Sequence, residues 1–216
     1  MHRKEKIIKL YNILYKYFGP QNWWPGDTID EIIIGAILTQ NTSWKNVEKA
    51  IINLKKADIL SLYKIYYGDK EEIIDAIKPS GFYNQKYNTL KNISTLFFRD
   101  YKHSYENILR NDISSIRENI LSVKGIGNET CDSILLYAFK IPTFVIDTYT
   151  VRILLRHNLI DIKDKYNDIK KLFSDSLESN IELFNEYHAL LVRIGKEYCL
   201  KKDPLCNKCP IKKGGL

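Results

Sequence analysis

The feature that most constrains this chain is the spacing of its apolar residues, which recur every three to four positions along nearly its whole length. The first segment illustrates the pattern with Ile7, Ile8, Leu10, Tyr11, Leu14, Tyr15 and Phe18. This period is typical of an amphipathic helix, and Gly19-Pro20 would end it. A short strand fits only at Phe144–Ile146, and no longer segment alternates apolar and polar residues. We therefore predict an all-α fold of about ten short helices.

Composition limits the class of protein. The chain has 216 residues, 44% of them hydrophobic, which suffices for one large domain or two small lobes with a buried core. No apolar run approaches the ~20 residues that span a bilayer, and we expect no signal peptide because the first residues lead straight into a helical pattern. We therefore expect a cytoplasmic protein without a membrane partner. The net charge of +7 favours a polyanionic partner but does not identify it.

Two glycines separate two helical segments in Leu121–Thr130, which reads LSVKGIGNET. Glycine allows a phosphate to approach closely, and the free amides at the start of the second helix point toward such an anion. Contacts of this kind bind a nucleic-acid backbone without selecting a sequence. Without a ligand, the same pattern is a tight turn between helices. The residues predicted to contact a phosphate backbone here are Lys124, Gly125, Gly127 and Thr130.

A single acidic residue, Asp147, ends the apolar run that follows this turn. By position it is a helix N-cap, because a helical pattern begins at Thr148. A lone carboxylate near a phosphate-binding turn can also do chemistry on the molecule that carries the phosphate. The residues alone leave both roles open.

The glycine turn and the aspartate that follows it, taken together, resemble the corresponding segment of the helix-hairpin-helix (HhH-GPD) DNA glycosylases of the endonuclease III superfamily. Leu38–Thr42 (LTQNT) is similar to the early loop of that family, and Pro79–Lys86 (PSGFYNQK) is similar to its mid-chain loop. The resemblance covers nearly the whole chain. It implies an enzyme of base excision repair that acts on double-stranded DNA with a damaged base, with Asp147 as its catalytic residue. We expect a monomer.

The residue before Thr130 distinguishes the strand-cutting members of this superfamily. In those bifunctional members a lysine directly precedes the threonine of the second hairpin helix, attacks the sugar and then cuts the strand. This chain has Glu129 there, and a carboxylate cannot form an imine. We therefore predict a monofunctional N-glycosylase. Glu129 also fits an ordinary first-turn acid favoured by the helix dipole, or one wall of a base pocket.

All three tryptophans lie in two segments, Trp23-Trp24-Pro25 and Trp44. Two adjacent tryptophans in a polar loop cannot both face one core, and aromatic faces can hold a flipped, cationic base. Taken together, the motifs are most similar to the 3-methyladenine DNA glycosylase branch. That similarity implies that Trp23 and Trp44 sandwich an alkylated base, with Trp24, Pro25 and Glu129 as neighbours in the base pocket.

The same resemblance assigns two residues to the distorted duplex. Gln40 in the early loop and Phe82 in the mid-chain loop would enter the DNA, one filling the gap and the other wedging the opposite strand. Such wedges offset unstacking costs of a few kcal/mol.

Other functions remain compatible with the sequence. Within the enzyme class, the alternatives are a mismatch uracil or thymine glycosylase and a bifunctional endonuclease III-like glycosylase with lyase activity. Outside it, the hairpin could belong to a non-catalytic helix-hairpin-helix DNA-binding module. Asp147 and the tryptophans argue against that module, which would need neither.

Three of the four cysteines, Cys199, Cys206 and Cys209, cluster near the end of the chain. In a cytosolic protein, this spacing indicates a metal site more readily than disulfides. It resembles the iron–sulfur loop of the superfamily, which implies a [4Fe–4S] cluster held by four thiolates, but the fourth position is Gly215. A cluster with a non-protein fourth ligand, a different metal and no metal all remain open.

Two helical lobes and a tail are the expected organisation. The terminal lobe would comprise residues 1–29 and 126–198, and the central lobe residues 30–125. The hairpin, residues 112–139, would bridge the two lobes. Residues 199–216 would form a Cys-rich loop.

Overall fold

In the computed structural model, all regular structure of the described residues is helical. The structure describes residues 2–23, 26–102 and 104–216, and no strand occurs in these ranges. Phe144–Ile146, where a short strand was possible, is an irregular connection. The predicted all-α class is confirmed. Within the described ranges, no helix has the length and apolar character needed to cross a membrane.

Thirteen α-helices are present in the described residues, more than the ten expected because several connections contain short helices of their own. In chain order they are α1 (Arg3–Phe18), α2 (Ile29–Leu38), α3 (Trp44–Lys56), α4 (Leu62–Tyr67), α5 (Lys70–Ile77), α6 (Tyr83–Tyr101), α7 (Tyr105–Leu109), α8 (Ile113–Leu121), α9 (Asn128–Ser133), α10 (Thr148–Arg156), α11 (Tyr166–Ser174), α12 (Ile181–Glu197) and α13 (Pro210–Lys213). A 3-10 turn, Lys78–Ser80, precedes α6, and a π-helix, Ile134–Ala138, continues α9.

Side-chain caps set the start of many of these helices. The side chains of Thr28, Ser61, Asp69, Asp112 and Asn180 accept hydrogen bonds from the first-turn backbone of α2, α4, α5, α8 and α12. Each cap satisfies an N–H group that has no partner within the helix and contributes about 1 kcal/mol. Local sequence therefore determines where these helices begin.

One compact unit comprises residues 24–141. Its central element is α2, which contacts α3, α6, α9 and the π-helix. Around it, α3 packs on α5, and α4 packs on α6. Because α2 is covered on most sides, its buried residues are nearly all apolar: Ile32, Ile33, Ile34, Ile37 and Leu38.

The second compact unit comprises residues 1–23 and 142–216. In it, α12 packs against both α1 and α10. An aromatic cluster fills its core, where the ring of Phe144 stacks on Phe173 with centroids 3.8 Å apart and meets Phe184 and Tyr187 edge-on. The buried hydroxyl of Tyr187 donates a hydrogen bond to the carbonyl of Ile7 (2.8 Å), which ties α12 to α1.

The observed division differs from the expected lobes in two respects. The hairpin, from α8 to the π-helix, lies wholly within the unit of residues 24–141, because α9 and the π-helix both pack on α2. The tail is not merely a loop, since α13 packs on α1 as part of the other unit.

Candidate active site

Asp147 is the N-cap of α10, and only 7% of its surface is exposed. Its Oδ1 accepts a hydrogen bond from the backbone N–H of Thr150 (2.7 Å), and its Oδ2 lies 3.5 Å from Nε2 of His188 on α12. Burial alone would raise the pKa of Asp147, but His188 and the Thr150 amide outweigh it and hold the pKa below its ordinary value. The carboxylate is therefore charged at neutral pH.

His188 is a site residue that sequence reasoning missed. It lies within the buried face of α12 and is only 6% exposed. A single histidine on an apolar helical face ordinarily indicates a core position, so the sequence offered no local signal. Only the packing of α12 on α10 brings its ring to Asp147.

Trp23 lies in the same unit and contacts this pair. Its ring stands edge-on to His188, with centroids 6.1 Å apart. Its carbonyl accepts a hydrogen bond from Nδ2 of Asn185 on α12 (3.3 Å). The structure therefore brings together the predicted Trp23 and Asp147 through His188. Trp24 and Pro25, the other predicted pocket residues of this segment, lie outside the described residues.

In the unit of residues 24–141, the two glycines of the hairpin turn are not equivalent. Gly125 has a φ of +101°, and a Cβ there would lie 2.0 Å from Oγ1 of Thr89, so this position requires glycine. Gly127 has an extended backbone, and no atom lies within 4 Å of where its Cβ would be. Its surface is open to a ligand, whereas Gly125 is required by the fold.

The residues predicted at the hairpin differ in exposure. Lys124 is exposed, and its carbonyl accepts a hydrogen bond from Nδ2 of Asn92 (3.3 Å). Thr130 is buried in α9. Glu129 is exposed in the first turn of α9, so the position at which the resemblance implies a nucleophilic lysine carries a carboxylate.

Gln40 lies against the hairpin. Its Nε2 donates hydrogen bonds to the carbonyl of Gly125 (3.0 Å) and to Oγ1 of Thr130 (3.0 Å). These bonds fasten the loop between α2 and α3 to the turn. For Gln40 to insert into a duplex, both bonds must break.

The two predicted aromatic contacts of this unit differ in exposure. Phe82 is 61% exposed and has a left-handed backbone (φ 49°, ψ 31°) at the N-cap of α6. Such a conformation costs a non-glycine residue about 1 kcal/mol or more. Trp44 is half-buried at the start of α3, and a Cβ on Gly35 of α2 would lie 4.0 Å from its Cη2. The indole ring therefore lies beside Gly35 at ordinary van der Waals distance.

Lys86 is a second residue that the sequence did not single out. It is 2% exposed, and its Nζ donates hydrogen bonds to the carbonyls of Leu38 (2.8 Å) and Ser80 (2.7 Å). Burial lowers the pKa of Lys86 to about 8. Its only sequence signal was its place in the PSGFYNQK motif, which does not indicate what the ammonium would contact.

The cysteines of the tail do not fit a metal cluster. Among the described residues, no three His, Cys, Asp or Glu side chains gather where they could hold a metal ion. Cys199 and Cys209 are buried, whereas Cys206 is exposed. The fourth position of the motif is Gly215, whose carbonyl accepts a hydrogen bond from Nζ of Lys9 (2.7 Å).

Two arginines of α10 contact the start of the tail instead. Arg152 donates to the carbonyls of Cys199 (2.8 Å) and Gly195 (3.0 Å). Arg156 donates to Sγ of Cys199 (3.2 Å) and to the carbonyl of Leu200 (2.7 Å). The guanidinium groups of Arg152 and Arg156 therefore hold the start of the tail against α10.

The helical arrangement is that of endonuclease III. A non-covalent endonuclease III–DNA complex superposes with a TM-score of 0.83 over 99% of this chain and 95% of that chain, at 19% identity, which shows the fold alone. Residues 34–179 match the family model of the HhH-GPD superfamily base excision DNA repair proteins. The chain belongs to this superfamily and is a DNA glycosylase.

Its relatives include several types of DNA repair enzyme. MJ1434 of Methanocaldococcus jannaschii, provisionally named a DNA repair glycosylase, is 47% identical over 96% of this chain and 94% of its own length. Endonuclease III of Sulfolobus acidocaldarius is 30% identical over 83% of this chain and 78% of its own length. The H. pylori 3-methyladenine DNA glycosylase MagIII bound to 1,N6-ethenoadenine superposes with a TM-score of 0.75 at 30% identity, covering 91% of this chain and 98% of that chain.

Proposed function

We propose that this chain is a monofunctional DNA N-glycosylase of base excision repair. It would hydrolyse the N-glycosidic bond of alkylated, 3-methyladenine-like bases in double-stranded DNA. The observation that carries the proposal is the buried, charged carboxylate of Asp147, held by Thr150 and His188.

Asp147 supplies the chemistry of bond cleavage. As the base departs with the electrons of the N-glycosidic bond, the sugar becomes oxocarbenium-like, and a nearby negative charge stabilises it. A water molecule then bonds to C1′ through its oxygen and gives a proton to the carboxylate. An alkylated purine is cationic, so the departing electrons neutralise it. This leaving group therefore requires little protonation by an acid.

Glu129 supports the monofunctional assignment. A lyase step through an imine needs an amine that attacks C1′. The first turn of α9 offers a carboxylate at the position concerned. Water is therefore the nucleophile in our proposal, and the product is an intact strand with an abasic site.

Trp23 and Trp44 are the aromatic residues that we assign to holding the base, and Trp24, Pro25 and Glu129 are the other residues that we assign to the base pocket. An aromatic face attracts a cationic base by about 0.5–2 kcal/mol, which favours alkylated over neutral bases. The similarity to MagIII, a 3-methyladenine DNA glycosylase, supports this substrate class.

Double-stranded DNA is the proposed partner, bound by a monomer. Lys124, Gly125, Gly127 and Thr130 would contact the phosphate backbone at the hairpin, where the open surface at Gly127 allows close approach. The net charge of +7 favours such a polyanion. Gln40 and Phe82 would enter the duplex, and the exposure of the Phe82 ring supports its assignment.

A bifunctional endonuclease III-like activity is the second candidate. The similarity to endonuclease III of Sulfolobus acidocaldarius favours it, and Glu129 opposes it.

A panel of duplexes tests the proposal, each carrying one lesion: a 3-methyladenine-type base, uracil opposite guanine, thymine opposite guanine, or an oxidised pyrimidine. We expect fastest excision of the alkylated base, with strand breakage only after alkali. Preferential excision of any other lesion would contradict the substrate assignment.

Borohydride trapping tests the monofunctional assignment on the same duplexes. Wild-type protein should form no covalent adduct, whereas Glu129→Lys should form one because it places an amine at the start of α9. Glu118→Lys, the same charge change on an exposed position of α8, is the control and should not trap DNA. A trapped wild-type protein would favour the bifunctional enzyme.

A further inference from the structure

Helix α6 contacts three loops of the unit formed by residues 24–141 through one stripe of side chains. Lys86, Thr89 and Asn92 follow one another at three-residue spacing, which places them along one side of the helix. Asn92 donates to the carbonyl of Lys124, and Thr89 contacts Gly125 so closely that a Cβ there would clash. Thr89 and Asn92 therefore support the hairpin turn, whereas Lys86 contacts the two other loops.

The ammonium of Lys86 joins those two loops. One of its acceptors is the carbonyl of Leu38, the last residue of α2 and two positions before Gln40. The other is the carbonyl of Ser80, which ends the 3-10 turn two positions before Phe82. A single nitrogen therefore holds the backbones that carry both proposed insertion residues.

This arrangement is costly and specific. A lysine that is 2% exposed has given up its water, and within the described part of the chain its ammonium makes no ion pair. A positive charge is nevertheless favourable at the end of α2, where helix carbonyls lack partners and the helix dipole is negative. An apolar residue of the same length would fill the space but leave both carbonyls without this donor.

We propose that Lys86 is a positioning residue that sets the spacing between the Gln40 loop and the Phe82 turn, so that both side chains enter the same duplex. The inference rests on the proposed function, because it takes those two residues as the ones that enter DNA. Lys86 itself touches neither DNA nor the reacting atoms. Its effect on excision is transmitted through the two backbones that it holds.

A matched control lies on the same helix. Lys91 is also on α6, and its Nζ also donates to backbone carbonyls, those of Ile65 and Tyr66 in α4. Lys91→Met therefore removes a lysine–carbonyl contact from α6 without touching either insertion loop. Comparison of Lys86→Met with Lys91→Met separates loop positioning from a general weakening of α6.

The first experiment measures insertion directly. The probe is a duplex with a tetrahydrofuran abasic site and 2-aminopurine in the opposite strand, whose fluorescence rises when neighbouring bases unstack. We expect Lys86→Met to reduce this fluorescence rise by at least about tenfold. The single-turnover excision rate on the duplex with the alkylated base should fall by a similar factor, because small misplacements of contact groups slow a reaction to this extent. Lys91→Met should behave as wild type. Lys86→Arg, which keeps the charge and N–H donors, should recover much of the loss.

The second experiment needs no DNA. Amide hydrogen exchange of the free protein should speed up at residues 39–43 and 78–82 in Lys86→Met, while residues 62–67 keep the wild-type rate. If Lys86→Met does not fold, Lys86→Gln, whose amide can still donate to one carbonyl, replaces it in both experiments. Faster exchange confined to the two loops supports the proposal even if wild-type protein excises no base, which would refute only the proposed function.

Two results would overturn the inference. In one, folded Lys86→Met inserts and excises like wild type and shows no faster exchange in the two loops. In the other, Lys91→Met loses insertion to the same extent as Lys86→Met, so that any weakening of α6 suffices.

Discussion

At the scale of single residues, the central question is how a buried carboxylate stays charged. Asp147 has lost nearly all contact with water, which by itself would favour its neutral form. The Thr150 amide and His188 reverse that preference. The Thr150 amide at the start of α10 and His188 on α12 therefore also keep Asp147 ionised, as our mechanism requires.

Replacement of Asp147 by Asn separates capping from catalysis. Asn also caps helices, so Asp147→Asn should fold, but it cannot carry the negative charge. We expect the excision rate to fall by at least about a hundredfold while DNA affinity changes little. Single-turnover excision and fluorescence anisotropy measure the two quantities. Asp69→Asn, the same change at the N-cap of α5, should leave both at wild-type values. Retention of excision by Asp147→Asn would refute the catalytic assignment.

A separate prediction concerns the effect of His188 on the pH dependence of excision. The folded-state pKa of Asp147 lies below its unfolded value, so its stabilising contribution is complete above the ordinary carboxyl pKa and is lost as pH falls through the folded pKa. In His188→Gln, burial is less well compensated and the pKa of Asp147 should rise. As the pH is lowered, the His188→Gln variant should therefore lose excision at a higher pH than the wild type does.

Single-turnover rates between about pH 4 and pH 8 would show that displacement of the acidic limb. His157→Gln is the control, because His157 lies at the other end of α10 from Asp147. An unchanged acidic limb in His188→Gln would mean that His188 does not keep Asp147 charged.

At the scale of elements, the two glycines of the hairpin turn differ in whether the fold requires them. Gly125 is required because of its positive φ and its contact with Thr89, whereas Gly127 is free of steric constraint. A Gly-x-Gly motif in a sequence does not distinguish these cases, since both glycines have the same local pattern.

Two alanine substitutions test that distinction. Gly125→Ala should lower the free energy of unfolding by about 1–3 kcal/mol because of backbone strain and the clash with Thr89. Gly127→Ala should leave stability within about 0.5 kcal/mol of wild type but weaken DNA binding, since its Cβ would stand where a phosphate approaches. Denaturant titration and anisotropy at constant salt give both values. Equal destabilisation by the two substitutions would contradict the assignment.

At the scale of the whole molecule, the two ends of the chain form part of one unit. Helix α13 packs on α1, Lys9 donates to the carbonyl of Gly215, and the side chain of Ile13 lies against Gly214. Arg152 and Arg156 hold the other end of the tail on α10. The tail thus connects α1 and α10, which are distant in sequence.

We therefore expect the tail to fold without metal. The purified protein should lack visible thiolate–iron absorbance, and a chelator should leave its thermal midpoint unchanged. Arg152→Ala should lower the free energy of unfolding by about 1–3 kcal/mol, because two carbonyls lose a charged donor. Cys206→Ser, at the exposed cysteine, is the control and should have no effect. A brown protein destabilised by Cys206→Ser would show that a cluster forms after all.

The sequence by itself determined the elements and the family. Helix α1 ends before Gly19 as predicted, because glycines and apolar periods act within a few residues. The motifs around Gly125 and Asp147 carried the resemblance to the HhH-GPD superfamily. These properties were accessible because each depends on neighbours along the chain.

Only the tertiary structure decided which side chains meet. Lys86 contacts Leu38, 48 residues away, and Gln40 contacts Gly125, 85 residues away. His188 reaches Asp147 only because α12 packs on α10. The three tail cysteines have the spacing of a cluster motif, but among the described residues they form no group that could hold a metal ion. Local propensities act over a turn or two of helix, whereas the charge of Asp147 and the placement of Lys86 depend on packing between distant helices. No local pattern encodes such packing.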